Sequence, residues 1–317
     1  MTVRPFTADG TTPAVARVVG DNGWTRFWRR NGSGYAFMTP WLLGFFGLTV
    51  GPALISLYLS FTNFNLLQAP TWVGDANYVR IFTADPRFLQ ALRVTFFYAV
   101  FSVPLKLAFA LAIAMLLNRG LRGLPLYRAI FYLPSLLGAS VAIAVLWREL
   151  FSSDGVINQL LAHVGITGPS WISNPRYALW TIILLSVWQF GSPMIIFLAG
   201  LRQIPRDVYE AAEIDGASKA RQFWSITLPL LTPVVFFNAI IQGIDAFKSF
   251  TPAFIISGGT GNPINSTLFY TLYLYQEAFA YFRMGNAAAL AWILLVIIAV
   301  FTGISFLTSR YWVYYDE

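Results

Sequence analysis

A stripe of polar side chains interrupts an otherwise apolar segment in the second half of the chain. Its members are Asn238, Gln242, Asp245 and Ser249, and their spacing of four, three and four residues predicts one face of an α-helix. Lys248 follows Asp245 by three residues and is placed to neutralise it. Because a charge at membrane depth costs roughly 2.5–3.5 kcal/mol, we expect this face to turn away from lipid.

Two interpretations of this stripe remain open. Its amides, hydroxyl and charges can line a translocation pathway, where they would hydrogen-bond to a polar solute. The same groups can instead hold the span against a partner subunit. Neither interpretation is preferred for Asn238 and Ser249, whereas the pathway is favoured for Gln242 and Asp245. Gln189, in an earlier apolar segment, is a second pathway candidate.

The motifs that the sequence lacks narrow the function further. The chain has no cysteine and a single histidine, His163, so a metal cluster of cysteines or histidines is excluded. None of its lysines follows a glycine-rich phosphate-binding loop. We therefore expect no catalytic residue, metal ligand or cofactor in this chain. If ATP drives the function, ATP and Mg²⁺ must be bound by another polypeptide.

The composition indicates an integral membrane protein. Of the 317 residues, 57% are hydrophobic and 11% are charged, whereas soluble domains carry about 25% charged residues. The predicted fold class is an all-α polytopic membrane protein with about six transmembrane helices. The net charge of +7 does not indicate a nucleic-acid partner, because basic residues near the ends of spans set membrane topology. We expect membrane lipid around the chain and no nucleic acid.

Six apolar segments are long enough to cross a bilayer. They cover residues 36–61, 92–117, 129–147, 178–201, 231–256 and 287–307. These spans form a transmembrane domain of residues 35–310, between a polar tail of residues 1–34 and a short tail of residues 311–317. We expect Pro104, Pro134 and Pro193 to kink their helices.

Charge asymmetry predicts the orientation of these spans. The segments before the first span and after the last span, the turn after the second span and the loop of residues 202–230 hold 13 basic residues, against six in the three opposite loops. The excess places both termini and the loop of residues 202–230 in the cytoplasm. The aromatic segment of residues 268–282 is expected to lie along the outer membrane interface, where tyrosine is favoured.

The loop of residues 202–230 has the pattern of two short helices. Asp207 adds negative charge near the start of the first helix, where the helix dipole favours it. Gly216 predicts a flexible or left-handed stop. A second helix is expected from Ala217 to about Ile226, and Pro229 is expected to separate it from the next span.

This loop resembles the Glu-Ala-Ala loop of binding-protein-dependent ABC importer permeases. Glu210-Ala211-Ala212 is followed after three residues by Gly216, and after nine more by an Ile-x-Leu-Pro sequence. In that family the loop is a coupling helix that seats in a groove of the cytoplasmic ATPase. The resemblance therefore implies a coupling role for Glu210, Ala211, Ala212, Asp215, Gly216, Ile226, Leu228 and Pro229.

Weaker motifs are similar to those of the carbohydrate and glycerol-3-phosphate branch of this family. Three of them are Phe131-Tyr-Leu-Pro134, Ile196-Phe-Leu-Ala-Gly-Leu201 and Met284-Gly-Asn-Ala287. The resemblance runs from about Tyr35 to the C-terminus and implies an ABC type I importer-like permease fold. It implies a transmembrane subunit, in a prokaryotic inner membrane, of an ATP-driven importer for a sugar or related polyol.

The resemblance also implies partners. They are a second homologous permease subunit, a dimer of ATPase subunits and an extracytoplasmic solute-binding protein. Two alternatives lack an ATPase partner: a secondary transporter and an intramembrane enzyme. The first would have no use for a docking loop, and the second would need a catalytic cluster.

Overall fold

The computed structural model describes residues 23–119, 123–138 and 140–314. Over these residues the protein is helical, apart from one short antiparallel ladder of β1 (Thr62–Asn63) and β2 (Thr71–Trp72). The helices are α1 (Gly23–Phe45), α2 (Gly51–Ser60), α3 (Ala76–Thr83), α4 (Pro86–Leu117), α5 (Leu124–Leu137), α6 (Val141–Leu150), α7 (Val156–His163), α8 (Pro175–Trp188), α9 (Gly191–Leu201), α10 (Arg206–Ile214), α11 (Lys219–Gln222), α12 (Leu228–Phe247), α13 (Thr251–Ile256), α14 (Tyr270–Tyr275) and α15 (Met284–Ser309). Three π-helical turns cover Phe46–Val50, Phe223–Thr227 and Gln276–Ala280.

The described residues form two compact units, one within residues 23–56 and the other within residues 57–314. In the first unit, α1 begins at Gly23, inside the segment that the sequence predicts as a polar tail, and leads through a π-helical turn into α2. The side chains of Phe37, Leu43 and Leu48 are exposed within this unit. The second unit contains α3 to α15 and every candidate site residue.

Four helical stretches among the described residues are long and apolar enough to cross a membrane. They cover 34–60, 86–117, 219–247 and 284–309. Two bent pairs, α5 with α6 and α8 with α9, bring the count to six when each pair is taken as one span. The predicted spans of residues 129–147 and 178–201 correspond to these bent pairs.

The positions of prolines account for part of the difference between the predicted spans and the observed helices. Between α8 and α9 the axis bends by 44°, and Pro193 lies in the first turn of α9, where its missing N–H costs nothing. Pro104 lies inside α4, which runs unbroken for 32 residues. In the predicted span of residues 231–256, α12 ends at Phe247 and a separate helix starts at Thr251.

Helix α4 is the centre of the second unit. It packs against α8, α9, α12 and α14. Ala91, Ala110 and Ala114 on α4 are fully buried, and such small side chains let neighbouring helices approach closely. Many large apolar side chains of the long helices are exposed, among them Phe96 on α4 and Leu295 on α15, as expected of helices in a bilayer.

The first part of the aromatic segment of residues 268–282 lies in the core, whereas Phe279 and Phe282 at its end are exposed. Phe269, Tyr270 and Tyr273 are fully buried. Aromatic rings bury a large area, and buried tyrosines need partners for their hydroxyls. The Tyr270 hydroxyl donates to the carbonyl oxygen of Leu290 at 2.8 Å, and that of Tyr273 donates to Asp85. These bonds make the segment a tie between α4 and α15.

Candidate functional site

Gly216 ends the first helix of the loop of residues 202–230 in a left-handed conformation, with φ of +76°, as the sequence predicts. Its N–H donates to the carbonyl of Glu213 at 3.0 Å, and the N–H of Ala217 donates to that of Ala212 at 2.9 Å. These two bonds form a Schellman motif, which satisfies carbonyls at the end of α10. Ser218 then caps α11, accepting from the N–H of Arg221 at 3.3 Å. The chain therefore forms a rigid helix–glycine–helix hairpin.

Pro229 does not separate this hairpin from the following span, so that expectation is wrong. Helical structure continues from Lys219 to Phe247 through the π-helical turn Phe223–Thr227. A π-helical turn widens the ladder, so the proline ring and its missing N–H are accommodated without a break. The hydroxyls of Tyr209 and Thr227 meet at 2.9 Å and tie α10 to this turn.

The outer surface of the hairpin carries apolar and acidic side chains together. Ile214 is 87% exposed and Trp224 is 67% exposed, and Glu210 is also exposed. Glu213 accepts a hydrogen bond from the Lys219 ammonium, which lowers the pKa of that carboxyl. Large exposed apolar side chains beside charges are typical of a protein contact surface.

The other residues assigned to coupling are distributed around the same hairpin. Ala211 and Asp215 are exposed, and Ala212 is half-buried. Ile226, Leu228 and Pro229 are half-buried at the base of α12. The sequence motif thus maps onto one continuous structural unit, with its acidic end outward and its apolar end joined to the span.

A polar cavity of about 270 Å³ lies where α4, α8 and α12 come together. Its lining combines hydroxyls, amides and charges. Polar lining residues are Tyr98, Ser102, Lys106, Ser186, Gln189, Gln242, Asp245, Ser249 and Thr251. Ser102 is near the middle of the 32-residue α4, so the cavity lies at membrane depth. Such groups inside a span mark a pathway or a contact with another polar surface.

Breaks in two spans meet at this cavity. Gln189 lies in the break between α8 and α9, and its amide donates to the carbonyl of Gly138 at 3.0 Å, in the break between α5 and α6. The Ser135 hydroxyl donates to the carbonyl of Gln189 at 3.0 Å and accepts from the N–H of Ser192 at 3.0 Å. These bonds satisfy backbone groups that the breaks would otherwise expose within the membrane.

Glycine is required where the breaks touch. A Cβ on Gly138 would lie 2.2 Å from Cγ of Gln189, and a Cβ on Gly191 would lie 2.7 Å from the carbonyl oxygen of Phe131. The two bent spans are therefore packed backbone against side chain at the cavity wall. Discontinuous helices that meet at mid-membrane form substrate sites in many transporters.

The predicted polar stripe is only partly brought together. Gln242 and Asp245 line the cavity, as does Ser249, although Ser249 lies beyond the end of α12. Asn238 is 1% exposed and outside the cavity, and its amide donates to the carbonyl of Val234 on its own helix. Lys248 caps α12 and pairs with Asp245 at 3.3 Å, as the spacing predicts, but is not a lining residue.

Sequence reasoning missed the contribution of α4. Tyr98, Ser102 and Lys106 recur every four residues and face the cavity together. Their spacing within an apolar span is the same signal that identifies the stripe on α12. Trp188, the residue before Gln189, does not line the cavity. Its ring packs against that of Trp147, with ring centroids 5.9 Å apart.

A second polar network joins the start of α4 to the start of α15. Arg87 donates to Gln276 and to the Tyr281 hydroxyl, and buried Glu277 pairs with Arg283 at 3.5 Å. Burial first, and then the hydrogen bond to Asp85, raises the pKa of Tyr273. Because these groups satisfy one another, we interpret the network as structural.

Within residues 23–119, 123–138 and 140–314, no three His, Cys, Asp or Glu side chains are grouped as metal ligands would be.

Apolar helices around a polar cavity, with an exposed hairpin at one end of a span, define a membrane permease. The chain belongs to the family of binding-protein-dependent transport system inner membrane components, whose model matches residues 81–313. It is 54% identical over 288 residues to the probable ABC transporter permease protein YesP of Bacillus subtilis (strain 168), covering 90% of this chain and 93% of the relative. It is 34% identical to the lactose transport system permease protein LacF of Rhizobium radiobacter, covering 88% and 94%.

Solved structures show the same fold. A bacterial ABC transporter for import of the acidic polysaccharide alginate contains a chain that matches with a TM-score of 0.78 and 22% identity, covering 91% of this chain and 99% of that one. The predicted ABC importer-like permease fold is confirmed. The protein is the inner-membrane permease subunit of a binding-protein-dependent ABC transporter, whose ATPase is a separate subunit. Both alternatives, a secondary transporter and an intramembrane enzyme, are set aside.

Proposed function

We propose that this permease forms part of the translocation pathway for a sugar and that the cavity between α4, α8 and α12 is its binding site. The observation that carries the proposal is a polar cavity at membrane depth, at the meeting point of two broken spans. Relatives named as permeases for lactose and for arabinooligosaccharides support a carbohydrate substrate. Hydroxyls of Tyr98, Ser102 and Ser249 and amides of Gln189 and Gln242 are suitable partners for sugar hydroxyls.

The hairpin of residues 202–230 then serves as the coupling segment. Its rigid Schellman turn and its exposed Ile214 and Trp224 suit docking into a groove of a cytoplasmic ATPase. Helical structure runs from Lys219 to Phe247 without a break. A displacement of the coupling segment is therefore transmitted along one helix to Gln242 and Asp245. This continuity links ATP-driven movement to the cavity wall.

The complete importer contains a second homologous permease, two ATPase subunits and an extracytoplasmic binding protein. Transport by this family depends on a binding protein, and one solved transporter is in complex with an alginate pentasaccharide-bound periplasmic protein. Both termini and the coupling segment lie in the cytoplasm, following the excess of basic residues on that side. The exposed Phe37, Leu43 and Leu48 of the first unit face lipid or the second permease.

Single cysteines in this cysteine-free chain test the pathway and the orientation. Gln242→Cys should react with a small thiol reagent and be protected by the transported sugar. Phe237→Cys, on the same helix but outside the cavity, is the control and should show no protection. Ser153→Cys and Ile264→Cys should be labelled from outside the cell, and Ser218→Cys only after permeabilisation. Labelling of Ser218→Cys in intact cells, or no protection of Gln242→Cys by any sugar, would overturn the proposal.

Glu210→Lys tests the coupling segment separately. The substitution reverses a charge on the exposed face of the hairpin without touching the cavity. ATPase subunits should be lost during purification, while the binding protein keeps its affinity for ligand. A Glu210→Lys complex that retains its ATPase subunits and imports normally would exclude docking through this face.

A further inference from the structure

The cavity contains an ammonium group that no direct partner neutralises. Lys106 and Asp245 are the charged residues among the described lining residues. Asp245 is near enough to act on Lys106 electrostatically, yet its ion pair, at 3.3 Å, is with Lys248. No hydrogen bond or ion pair to Lys106 is formed by the described residues. Two lysines and one carboxylate leave one positive charge in excess.

The excess charge needs an explanation because Lys106 lies inside the membrane-spanning helix α4. Lys106 is half-buried inside α4, where a charged side chain normally costs roughly 2.5–3.5 kcal/mol on insertion scales. A methionine or leucine at this position would avoid that cost. The cost is offset if the ammonium meets an anion that enters the cavity.

Ser102 supplies an independent indication one helical turn away. It is 1% exposed and lines the cavity. Its hydroxyl lies close to that of Tyr98 but makes no well-formed hydrogen bond within the described part of the chain. In the wall of one cavity, a buried hydroxyl without a good partner and an ammonium without a direct partner together offer hydrogen-bond donors to an anion. The two groups lie at positions i and i+4 of α4.

We infer that the substrate is an anionic sugar whose carboxylate contacts Lys106 and Ser102, while its hydroxyls contact the amides across the cavity. This inference rests on the proposed function and names its substrate class. A single carboxylate matches a single excess charge, whereas a phosphate carries about −1.5 to −2 near neutral pH. Amides from Gln189 and Gln242 are uncharged and suit the remaining hydroxyls.

Uptake into proteoliposomes that contain the complete importer and its binding protein tests this inference. The probes are uronic-acid disaccharides, their carboxyl-reduced neutral counterparts and a sugar phosphate. We expect import of a uronic-acid disaccharide and at least tenfold slower import of its neutral counterpart, about 1.4 kcal/mol of discrimination. Lys106→Met should lower uptake of the acidic sugar about tenfold per amount of folded complex, so that the ratio of acidic to neutral uptake falls. Lys106→Arg, which keeps the charge, should restore most of the acidic uptake.

Three outcomes would overturn the inference. They are import of neutral sugars alone, import of the sugar phosphate without the uronic acids, and uptake of the acidic sugar by Lys106→Met at the unmodified rate. Protection of Gln242→Cys separates this failure from failure of the pathway. If neutral sugars protect that cysteine and acidic sugars do not, the pathway stands and the anionic substrate class is wrong.

Discussion

The coupling segment and the cavity contrast in how their residues are collected along the chain. All assigned coupling residues lie between Glu210 and Pro229. The contacts that shape the hairpin are backbone and cap bonds and the contact of Tyr209 with Thr227, all within residues 202–230. Cavity residues come from α4, α8 and α12 and from the break before α6, so tertiary packing alone brings them together. The first region can therefore be read from a motif, whereas the second depends on which faces of distant helices meet.

The largest expected effect is that of a backbone change in the coupling segment. Gly216→Pro imposes φ near −65° where the chain has +76° and removes the N–H that donates to Glu213. If the turn loses about 3 kcal/mol or more of stability, the population of correctly folded hairpin falls at least a hundredfold, and we expect uptake to fall with it. Gly216→Asn is the matched control, because asparagine tolerates the left-handed conformation, and should keep most uptake. Normal uptake with Gly216→Pro would show that the Schellman turn has no part in coupling.

A smaller effect is expected at the cavity wall. Gly138→Ala places a Cβ 2.2 Å from Cγ of Gln189, so the glutamine must move and lose its 3.0 Å bond to the Gly138 carbonyl. Overpacking of this kind costs about 1–3 kcal/mol, and we expect uptake to fall about tenfold. Gln189→Ala made together with Gly138→Ala removes the clash and should recover stability of the complex. If the double variant is less stable than Gly138→Ala, the two breaks are not packed against each other.

The sequence predicts the coupling segment better than it predicts the cavity. Gly216 was predictable because the left-handed stop is a local property of the backbone. Pro229 was misjudged, because a π-helical turn accommodates a proline without breaking the helix. Ser249 lines the cavity together with Gln242 although α12 ends before it, so the spacing along one continuous helix does not explain its position.

Lys106 and Asn238 show the limit of single-helix reasoning. Both are polar residues inside apolar spans. Lys106 lines the cavity, whereas the buried side chain of Asn238 donates a hydrogen bond to a carbonyl of its own helix. Spacing along one helix says which residues share a face but not which neighbour that face meets. The alternative interpretation of Asn238, as a polar contact with a partner subunit, stays a prediction.

A moderate effect is expected for the ion pair at the cavity rim. Asp245 and Lys248 lie 3.3 Å apart with side chains more than half exposed, and such pairs contribute about 0–1 kcal/mol. Asp245→Asn should therefore lower folded complex or uptake by up to about fivefold. Asp245→Asn with Lys248→Gln should recover part of the folding loss, since the excess charge is removed. Unchanged expression and uptake in both single variants would mean that the pair is dispensable.

The smallest effect is expected for the ion pair on the coupling segment. Glu213 and Lys219 are both exposed, and the hairpin is held by the Schellman bonds and by the contact of Tyr209 with Thr227. The Lys219 hydrogen bond lowers the pKa of Glu213, so any stabilisation is present above the ordinary pKa of the carboxyl and is lost as pH falls through the lowered value. Glu213→Gln should change uptake less than about twofold at neutral pH, because exposed pairs contribute little. Thermal unfolding of the complex should differ between Glu213→Gln and the unmodified protein only above that lowered pKa.

Tyr209→Phe, which removes the hydroxyl that ties α10 to the span, should lower uptake more than Glu213→Gln does. The reverse order would show that the hairpin depends on its surface charge, and the contrast between local backbone bonds and distant side-chain contacts would have to be redrawn.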